Sequence, residues 1–258
     1  MDAPGFFEYF LDYFGDRWEA LSKALRGESV YTAISYPGKT PYFLDEASAF
    51  AAKSLGVEPG MDVLDMCAAP GGKTLILAEA LQGKGSLQAN DRSPDRRVRL
   101  SHVLENTLPD ELRQAVKVTG YDGSRFGMFR RECFDRILLD APCSSERHVM
   151  ESEKYLSEWS PKRISRIAVE QGSLLASAVD ALRPGGQMIY STCALTRMEN
   201  DDVVRKILKK RAGKVRVLEL LPQIPGTEKT EFGLHMLPDL CGGRGPIFCA
   251  RLEKLSPA

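Results

Sequence analysis

The chain carries no net charge, because 35 lysines and arginines balance 35 aspartates and glutamates. That removes any bulk electrostatic case for a polyanionic partner, although local basic patches can still hold one. No apolar run reaches the eighteen or so residues of a membrane span, so a membrane is not an expected partner. Six cysteines include no Cys-x-x-Cys pair, and no histidine stands near them at zinc spacing. Neither a disulfide framework nor a metal site is expected, and a reducing cytoplasm is the default compartment. Met1 to Phe10 contains Asp2 and Glu8 but no basic residue, which resembles neither a secretory signal nor a mitochondrial presequence. Repeats and low-complexity segments are also missing.

Two phosphate-binding signatures are absent at the place where they would be sought. The stretch Val63-Leu-Asp-Met-Cys-Ala-Ala-Pro-Gly-Gly-Lys-Thr74 is an apolar run, a turn of small residues and the start of a helix over Gly72–Leu81. A phosphate-cradling loop needs glycine five residues before Gly72, and Cys67 stands there. The spacing Gly-x-Gly-x-x-Gly does not occur in this turn either. What remains is the opening strand–turn–helix unit of a doubly wound sheet, in which ligands sit at the carboxyl ends of the strands. The small residues Ala68, Ala69, Gly71 and Gly72 would let a ligand approach the backbone. A tight turn with no ligand is the structural alternative.

With 258 residues, 43% of them hydrophobic, the chain has room for one large α/β domain and a short appendage, or for two small domains. Residues 5–26 are rich in Phe, Tyr and Trp at helical spacing and predict one or two amphipathic helices that dock on the main domain, with base stacking as the other use of such rings. Residues 28–42 read as a linker, and Asp45–Leu55 as a helix capped by Asp45. Gly85–Asp91 predicts strand two. The acid ending it stands about 20 residues beyond the turn, as a ribose-binding acid requires, while Ser93 caps the next helix. That helix carries Arg92, Arg96, Arg97 and Arg99, ordinarily a solvated face. Ala115–Gly120 is strand three, followed by an acidic turn with Asp122 and Gly123, which suits an adenine amino group or a plain turn. Phe134–Asp140 is strand four. An aspartate ending a buried apolar strand is costly unless paired, which marks Asp140 as functional. Glu146–Ser160 reads as an irregular, mobile loop, Pro161–Leu182 as a long helix and Gln187–Cys193 as strand five. Met198–Arg211 is a helix, Val215–Leu220 and Pro246–Leu252 are the last strands, and Gly233–Gly245 is a loop.

Strand ends therefore carry Asp65, Asp91, Asp122, Asp140, Cys143 and Cys193. A small-residue turn, a ribose-type acid and an adenine-type acid make a pocket for a nucleoside cofactor, and S-adenosylmethionine fits best. Cys133 and Cys249 read as inert small hydrophobes. Cys143 and Cys193 end strands that converge at the crevice. A thiolate adding to carbon 6 of a pyrimidine makes carbon 5 nucleophilic enough to take a methyl group, after which a base removes the carbon 5 proton and the sulfur is eliminated. An acid near ring nitrogen 3 would stabilise the developing charge.

Asp65–Thr74, Asp140-Ala-Pro-Cys-Ser144 and Ser191-Thr-Cys193 resemble, in this order, the motifs of the Nol/Nop/Sun family of RNA cytosine-5 methyltransferases. The resemblance spans roughly residues 42–252. Asn90–Pro94, Asp140–His148, the closing Leu237–Leu252 region and Phe14–Trp18 look most like the mitochondrial small-subunit rRNA type. The resemblance implies a Rossmann-like α/β methyltransferase fold with a seven-stranded, mostly parallel sheet, its seventh strand antiparallel, helices on both faces and a short N-terminal helical extension. It implies an extension and linker over residues 1–41 and a catalytic domain over 42–258.

It also implies roles. Cys193 would be the nucleophile, Cys143 would help release product, and Asp140 would contact cofactor and base. The turn Cys67, Ala68, Ala69, Pro70, Gly71, Gly72 and Lys73 would hold the methionine and ribose portions of S-adenosylmethionine. Asp91 would sit on the ribose with Arg96 close by, and Asp122 and Gly123 on the adenine. DNA cytosine-5 methyltransferases use the Pro-Cys cysteine as nucleophile and lack the Thr-Cys, so the chain sides with RNA. The expected partner is ribosomal RNA, with transfer RNA as the alternative, together with a targeting protein or the assembling small subunit. An assembly factor acting mainly by binding is the non-enzymatic alternative. The compartment would be a bacterial-type cytoplasm, or the mitochondrial matrix for a mature form.

Overall fold

The computed structural model describes residues 5–256. The leaderless reading of Met1–Phe10 rests in part on Met1–Pro4, which lie outside them. Two helices, α1 (Phe6–Phe14) and α2 (Arg17–Arg26), are followed by a hairpin of β1 (Tyr31–Ile34) and β2 (Tyr42–Asp45). The stretch read as a linker is thus partly strand, and its pairing joins residues on both sides of position 41/42. Sequence alternation is weak there, so only the cross-strand partners define it. Helix α3 (Glu46–Lys53) begins at Asp45, whose side chain accepts from the Ala47 and Ser48 amides, a side-chain cap of two orphan donors.

The main sheet starts with β3 (Asp62–Asp65), α4 (Gly72–Leu81), β4 (Ser86–Asn90), α5 (Pro94–Thr107), a short α6 (Asp110–Arg113) and β5 (Val116–Thr119). After α7 (Phe126–Phe129) come β6 (Phe134–Asp140), two short helices α8 (Glu146–Val149) and α9 (Glu153–Glu158), the long α10 (Pro161–Ala181) and β7 (Leu182–Thr192). Helix α11 (Asp201–Lys210), β8 (Val215–Leu218), β9 (Glu228–Lys229), β10 (Leu234–Met236) and β11 (Ile247–Lys254) complete it. The order is β5-β4-β3-β6-β7-β11-β10-β9, with β8 also paired to β11. The first five strands are parallel and β11 is antiparallel to β7. The expected antiparallel last strand is present, but the sheet has nine strands rather than seven. The extra two, β9 and β10, come between β8 and β11 in sequence and extend the sheet beyond β11, and β10 falls in the Gly233–Gly245 stretch read as loop.

Residues of one strand serve alternate faces, as a two-residue period demands. Val63, Leu138 and Ile189 pack with α3, α4 and α5, whereas Leu64, Ile137, Leu139, Met188 and Tyr190 pack with α10 and α11. Both faces are covered, which is why these strands read as continuous apolar runs.

A third core lies outside the sheet. Phe6, Phe10, Trp18, Leu21 and Leu25 of α1 and α2 pack with Val149, Trp159, Ile164, Leu195 and Leu237. The aromatic rings are used for docking, as the first reading held. The dock also contradicts the mobile loop expected over Glu146–Ser160: Val149 and Trp159 from that stretch are buried by the N-terminal helices. Phe10 is fully buried, with its ring centroid 5.2 Å from Trp18 and 4.8 Å from Phe6. Phe10→Ala is expected to cost about 3–5 kcal/mol, the usual range for removing a buried Phe. Chemical denaturation followed by circular dichroism checks this; a loss below about 1 kcal/mol would mean that the aromatic core collapses freely onto the gap.

Candidate active site

The segments that follow β3, β4, β5 and β6 border one cavity. The turn after β3 is bent at Gly71, whose φ of +125° no other residue adopts comfortably. Gly72 is small for a different reason than the ligand access expected of it. A Cβ there would stand 2.6 Å from Tyr42 and 2.9 Å from Leu44, so its space belongs to the hairpin. Backbone amides of the turn are used internally as well. Ala68 N donates to Asn90 O (2.7 Å) and Ala69 N to Asp91 Oδ2 (3.3 Å).

Met66, Cys67, Asn90, Asp91, Arg96, Asp122, Gly123, Pro142 and Leu174 are among the residues around a cavity of about 550 Å³. Asp91, at the end of β4, accepts from Ser93 N (3.0 Å) and lies 3.4 Å from Arg96, which itself donates to Ala69 O (2.6 Å). Arg96 and Arg97 are therefore tied to the turn and strand end, not simply solvated: Arg97 donates to Asp91 O (2.8 Å) and Arg92 O (2.9 Å). Asp122 accepts from Ser124 N and Oγ, and these bonds hold its carboxyl below the usual range. Asn90, which sequence reasoning passed over, ties three strand ends together. Its amide donates to Met66 O (3.1 Å) and Tyr121 O (3.0 Å), and its oxygen accepts from Tyr121 N (2.8 Å). Its only signal was its place beside Asp91.

The rest of the turn, Cys67 to Lys73, borders a narrow cavity of about 40 Å³ with Asp65, Tyr42 and Asp140. Burial pushes the Cys67 thiol up, out of the reactive range. Asp65 is buried too. It accepts from Thr74 Oγ1 (2.7 Å), its other oxygen has no partner, and desolvation raises it to about 7. Asp140 accepts from Lys73 Nζ (2.8 Å) and Ser191 Oγ (2.8 Å). Burial alone would lower Lys73, but the charge and hydrogen bond of Asp140 outweigh it and hold the ammonium above its ordinary value. The costly strand-end aspartate is paired by a lysine eight residues past the end of β3.

Beyond Asp140 the loops after β6 and β7 meet. Cys143 Sγ and Cys193 Sγ are 2.8 Å apart, and all six cysteines of the chain are free. Ser145 Oγ is 3.4 Å from each of the two sulfurs. The hydrogen bond to Cys193, and then burial, holds the Cys143 thiol well above the usual range, in its neutral form. Such a pair can present one sulfur as nucleophile while the other keeps its proton.

Behind the thiols lies a group that no sequence signal announced. Glu146 and Glu199 are both fully buried, and both contact Ser144 Oγ. Glu146 falls in the stretch read as an irregular loop and Glu199 in the one read as a helix.

A family model described as 16S rRNA methyltransferase RsmB/F matches residues 52–253. The "5-cytosine rRNA methyltransferase NSUN4" of Bos taurus is 34% identical over 230 residues, covering 83% of this chain and 60% of that protein. The "Ribosomal RNA small subunit methyltransferase F" of Serratia proteamaculans is 37% identical over 219 residues, covering 83% of this chain and 45% of that protein. The chain thus spans about half the length of the curated relatives it matches. Among solved structures, NSun6 from Pyrococcus horikoshii, crystallised with SFG, superposes with a TM-score of 0.70 at 28% identity, over 84% of this chain and 54% of that one.

Proposed function

Because the chain belongs to the RsmB/F family of 16S rRNA methyltransferases, we propose that it is an RNA (cytosine-5-)-methyltransferase acting on ribosomal RNA with S-adenosylmethionine as methyl donor. The observation that carries this is the pair of free thiols at adjacent strand ends, 2.8 Å apart, beside the Lys73-paired Asp140.

The residues present fit the cofactor. The cavity has an apolar wall of Met66, Pro142 and Leu174 for a flat ring, with Asp91 and Asp122 reaching it from neighbouring strand ends. Asp91 and Arg96 would hold the ribose, Asp122 and Gly123 the adenine, and the turn Cys67–Lys73 with Asp140 the methionine end. When bound, S-adenosylmethionine supplies an electrophilic methyl group. Cys193 as thiolate adds to carbon 6 of cytosine and makes carbon 5 nucleophilic. Asp140 would share a proton with ring nitrogen 3. Cys143, held neutral, serves the later stage in which carbon 5 loses its proton and the Cys193 sulfur leaves. A target cytosine must leave its stack to reach these thiols. Residues 42–258 would carry this chemistry, with residues 1–41 as an extension buttressing the cysteine loops. Two reaction thiols kept free suit a reducing compartment, and a protein or small-subunit partner would supply target selection.

The test is transfer of labelled methyl from S-adenosylmethionine to purified small-subunit rRNA, with a tRNA pool alongside and nucleoside analysis of the product. Label as 5-methylcytosine in rRNA is expected. Label in tRNA alone would reassign the substrate, and label in neither would remove the proposal. Cofactor binding gives a second check. Asp91→Ala is expected to weaken it by about 10- to 100-fold, the loss of one or two charge-assisted hydrogen bonds, read by titration calorimetry. An unchanged affinity would take Asp91 off the ribose.

A further inference from the structure

The two buried acids are arranged crosswise. Glu199, from the turn before α11, reaches the other loop: its Oε1 accepts from Ser144 N (2.9 Å), the amide next to Cys143, and from Gln171 Nε2 (3.0 Å). Glu146, from the loop after Cys143, reaches back: its Oε2 accepts from Leu195 N (3.1 Å), two residues past Cys193. Between them stands Ser144 Oγ, in hydrogen-bond contact with Glu146 Oε1 and Glu199 Oε2. A hydroxyl has one proton. It can donate to one carboxylate, so its second contact requires a proton on the other acid.

We propose that Glu146 and Glu199, sharing one proton through Ser144, are positioning residues that clamp the Cys143 and Cys193 loops at the separation the two-thiol chemistry needs. The inference rests on the activity proposed above for the same site.

Other groups do not supply that proton or neutralise the pair. Among the described residues neither acid is ion-paired. Arg163 from α10 acts on Glu199 only at longer range, and Tyr9 from α1 faces both acids as a neutral phenol. Tyr190 of β7 donates to the Glu199 carbonyl (2.5 Å), not to its carboxylate. Arg147 turns to Leu25 O (3.1 Å), and Asp201 to Thr230 Oγ1 (2.9 Å) and Phe232 N (2.9 Å). The Cys143 thiol is within reach of the Glu199 charge and is itself held neutral. Burial first, and the neighbouring charge of Glu199 second, push Glu146 up to about 7, and burial raises Glu199 as well. Both shifts favour a proton held on the pair. Once it leaves, two carboxylates face each other in a dry site and the clamp opens. Lowering the pH adds a second proton, which leaves the Ser144 contacts intact.

The variants follow from the geometry. In Glu146→Gln the amide NH₂ takes over donation to Ser144 Oγ and the amide oxygen still accepts from Leu195 N, so the clamp needs no titrating proton. Glu146→Ala and Glu199→Ala remove it. Methyl transfer by the wild type should fall above neutral pH as the pair loses its proton. The Gln variant should match wild type near pH 7 within about threefold and lose the falling limb. The Ala variants should lose about 100-fold in kcat, the scale of a misplacement near 1 Å, while KM for RNA and affinity for S-adenosylmethionine stay within threefold. Gln losing as much as Ala, or a wild-type profile identical to that of Gln, would overturn the clamp even if the Ala variants fail to fold.

A readout independent of activity separates this from the function itself. Phenylarsine oxide binds two neighbouring thiols, forming two As–S bonds and releasing water. Free wild-type protein and Glu146→Gln should retain it at least tenfold more tightly than Glu199→Ala, with Cys143→Ser giving the one-thiol baseline. Equal retention by Glu199→Ala and wild type would also overturn the proposal. If the wild type transfers no methyl group, the activity reading fails and the arsenical alone decides the clamp.

Discussion

Cys193→Ala is expected to abolish methyl transfer, with kcat falling about ten-thousand-fold or more, the usual effect of deleting a nucleophile. The same variant should form no covalent adduct with RNA carrying 5-fluorocytosine. Fluorine at carbon 5 blocks the last proton loss, so wild type should be trapped as a band that survives a denaturing gel. Cys143→Ala should behave in the opposite way and keep the trapped band, because it retains the attacking sulfur. The sulfurs are 2.8 Å apart, so position alone does not choose between them. The choice follows the resemblance of Ser191-Thr-Cys193 to the family motif, and only a thiolate attacks. If the band disappears with Cys143→Ala and persists with Cys193→Ala, the roles are reversed and the Pro-Cys cysteine is the nucleophile.

Asp140→Ala should reduce both activity and stability, and the two losses can be separated. Removing the carboxylate leaves Lys73 mostly buried with no ion partner, and breaking such a pair costs about 3–5 kcal/mol. For a chain of this size that lowers the melting temperature by roughly 6–15 °C. Exchanging both residues, as Lys73→Met with Asp140→Ala, removes the buried charge and should recover most of the stability but none of the activity. The pH dependence gives a sign to check. In wild type the Lys73 ammonium is held above its ordinary value. Its stabilising contribution is therefore complete below the normal lysine range and fades only as pH rises through the higher folded value. In Asp140→Ala the desolvation that Asp140 had outweighed now dominates and the Lys73 value falls. The unfolded chain then binds the extra proton, and the variant's stability rises with pH. The deficit against wild type should be largest near neutral pH and shrink toward pH 10. A deficit constant over that range would mean that Lys73 finds another partner or stays wet.

Much of this was legible in the chain itself. Short-range patterns were read to within a residue or two where a local rule governs them. Gly72–Leu81 and Phe134–Asp140 have the expected ends, and Asp45 and Ser93 cap the helices they were expected to cap. The strand-end acids and thiols were found because parallel strands in an α/β sheet all deliver their last residues to one crevice. The order of three motifs was enough to mark the resemblance to the family.

Contacts between residues far apart in sequence were not legible. The β1–β2 hairpin and the β9–β10 pair are short strands without clear alternation, and they exist only through their partners. Gly72 looked like an opening for a ligand and is filled by Tyr42 and Leu44. Glu146–Ser160 looked mobile because it is polar, yet Val149 and Trp159 anchor it in the core formed with α1 and α2. Glu146 and Glu199 were given no role by the sequence, and a glutamate is almost never fully buried unless something holds it. What holds them is Ser144, two backbone amides and Gln171, groups brought together from separate parts of the chain. The sequence by itself determined which strands carry chemical groups at their ends, because that follows from local periodicity and a general rule of sheet topology. Only the tertiary structure decided how far apart those groups stand and which of them are charged, because distance and desolvation are properties of what the fold brings together.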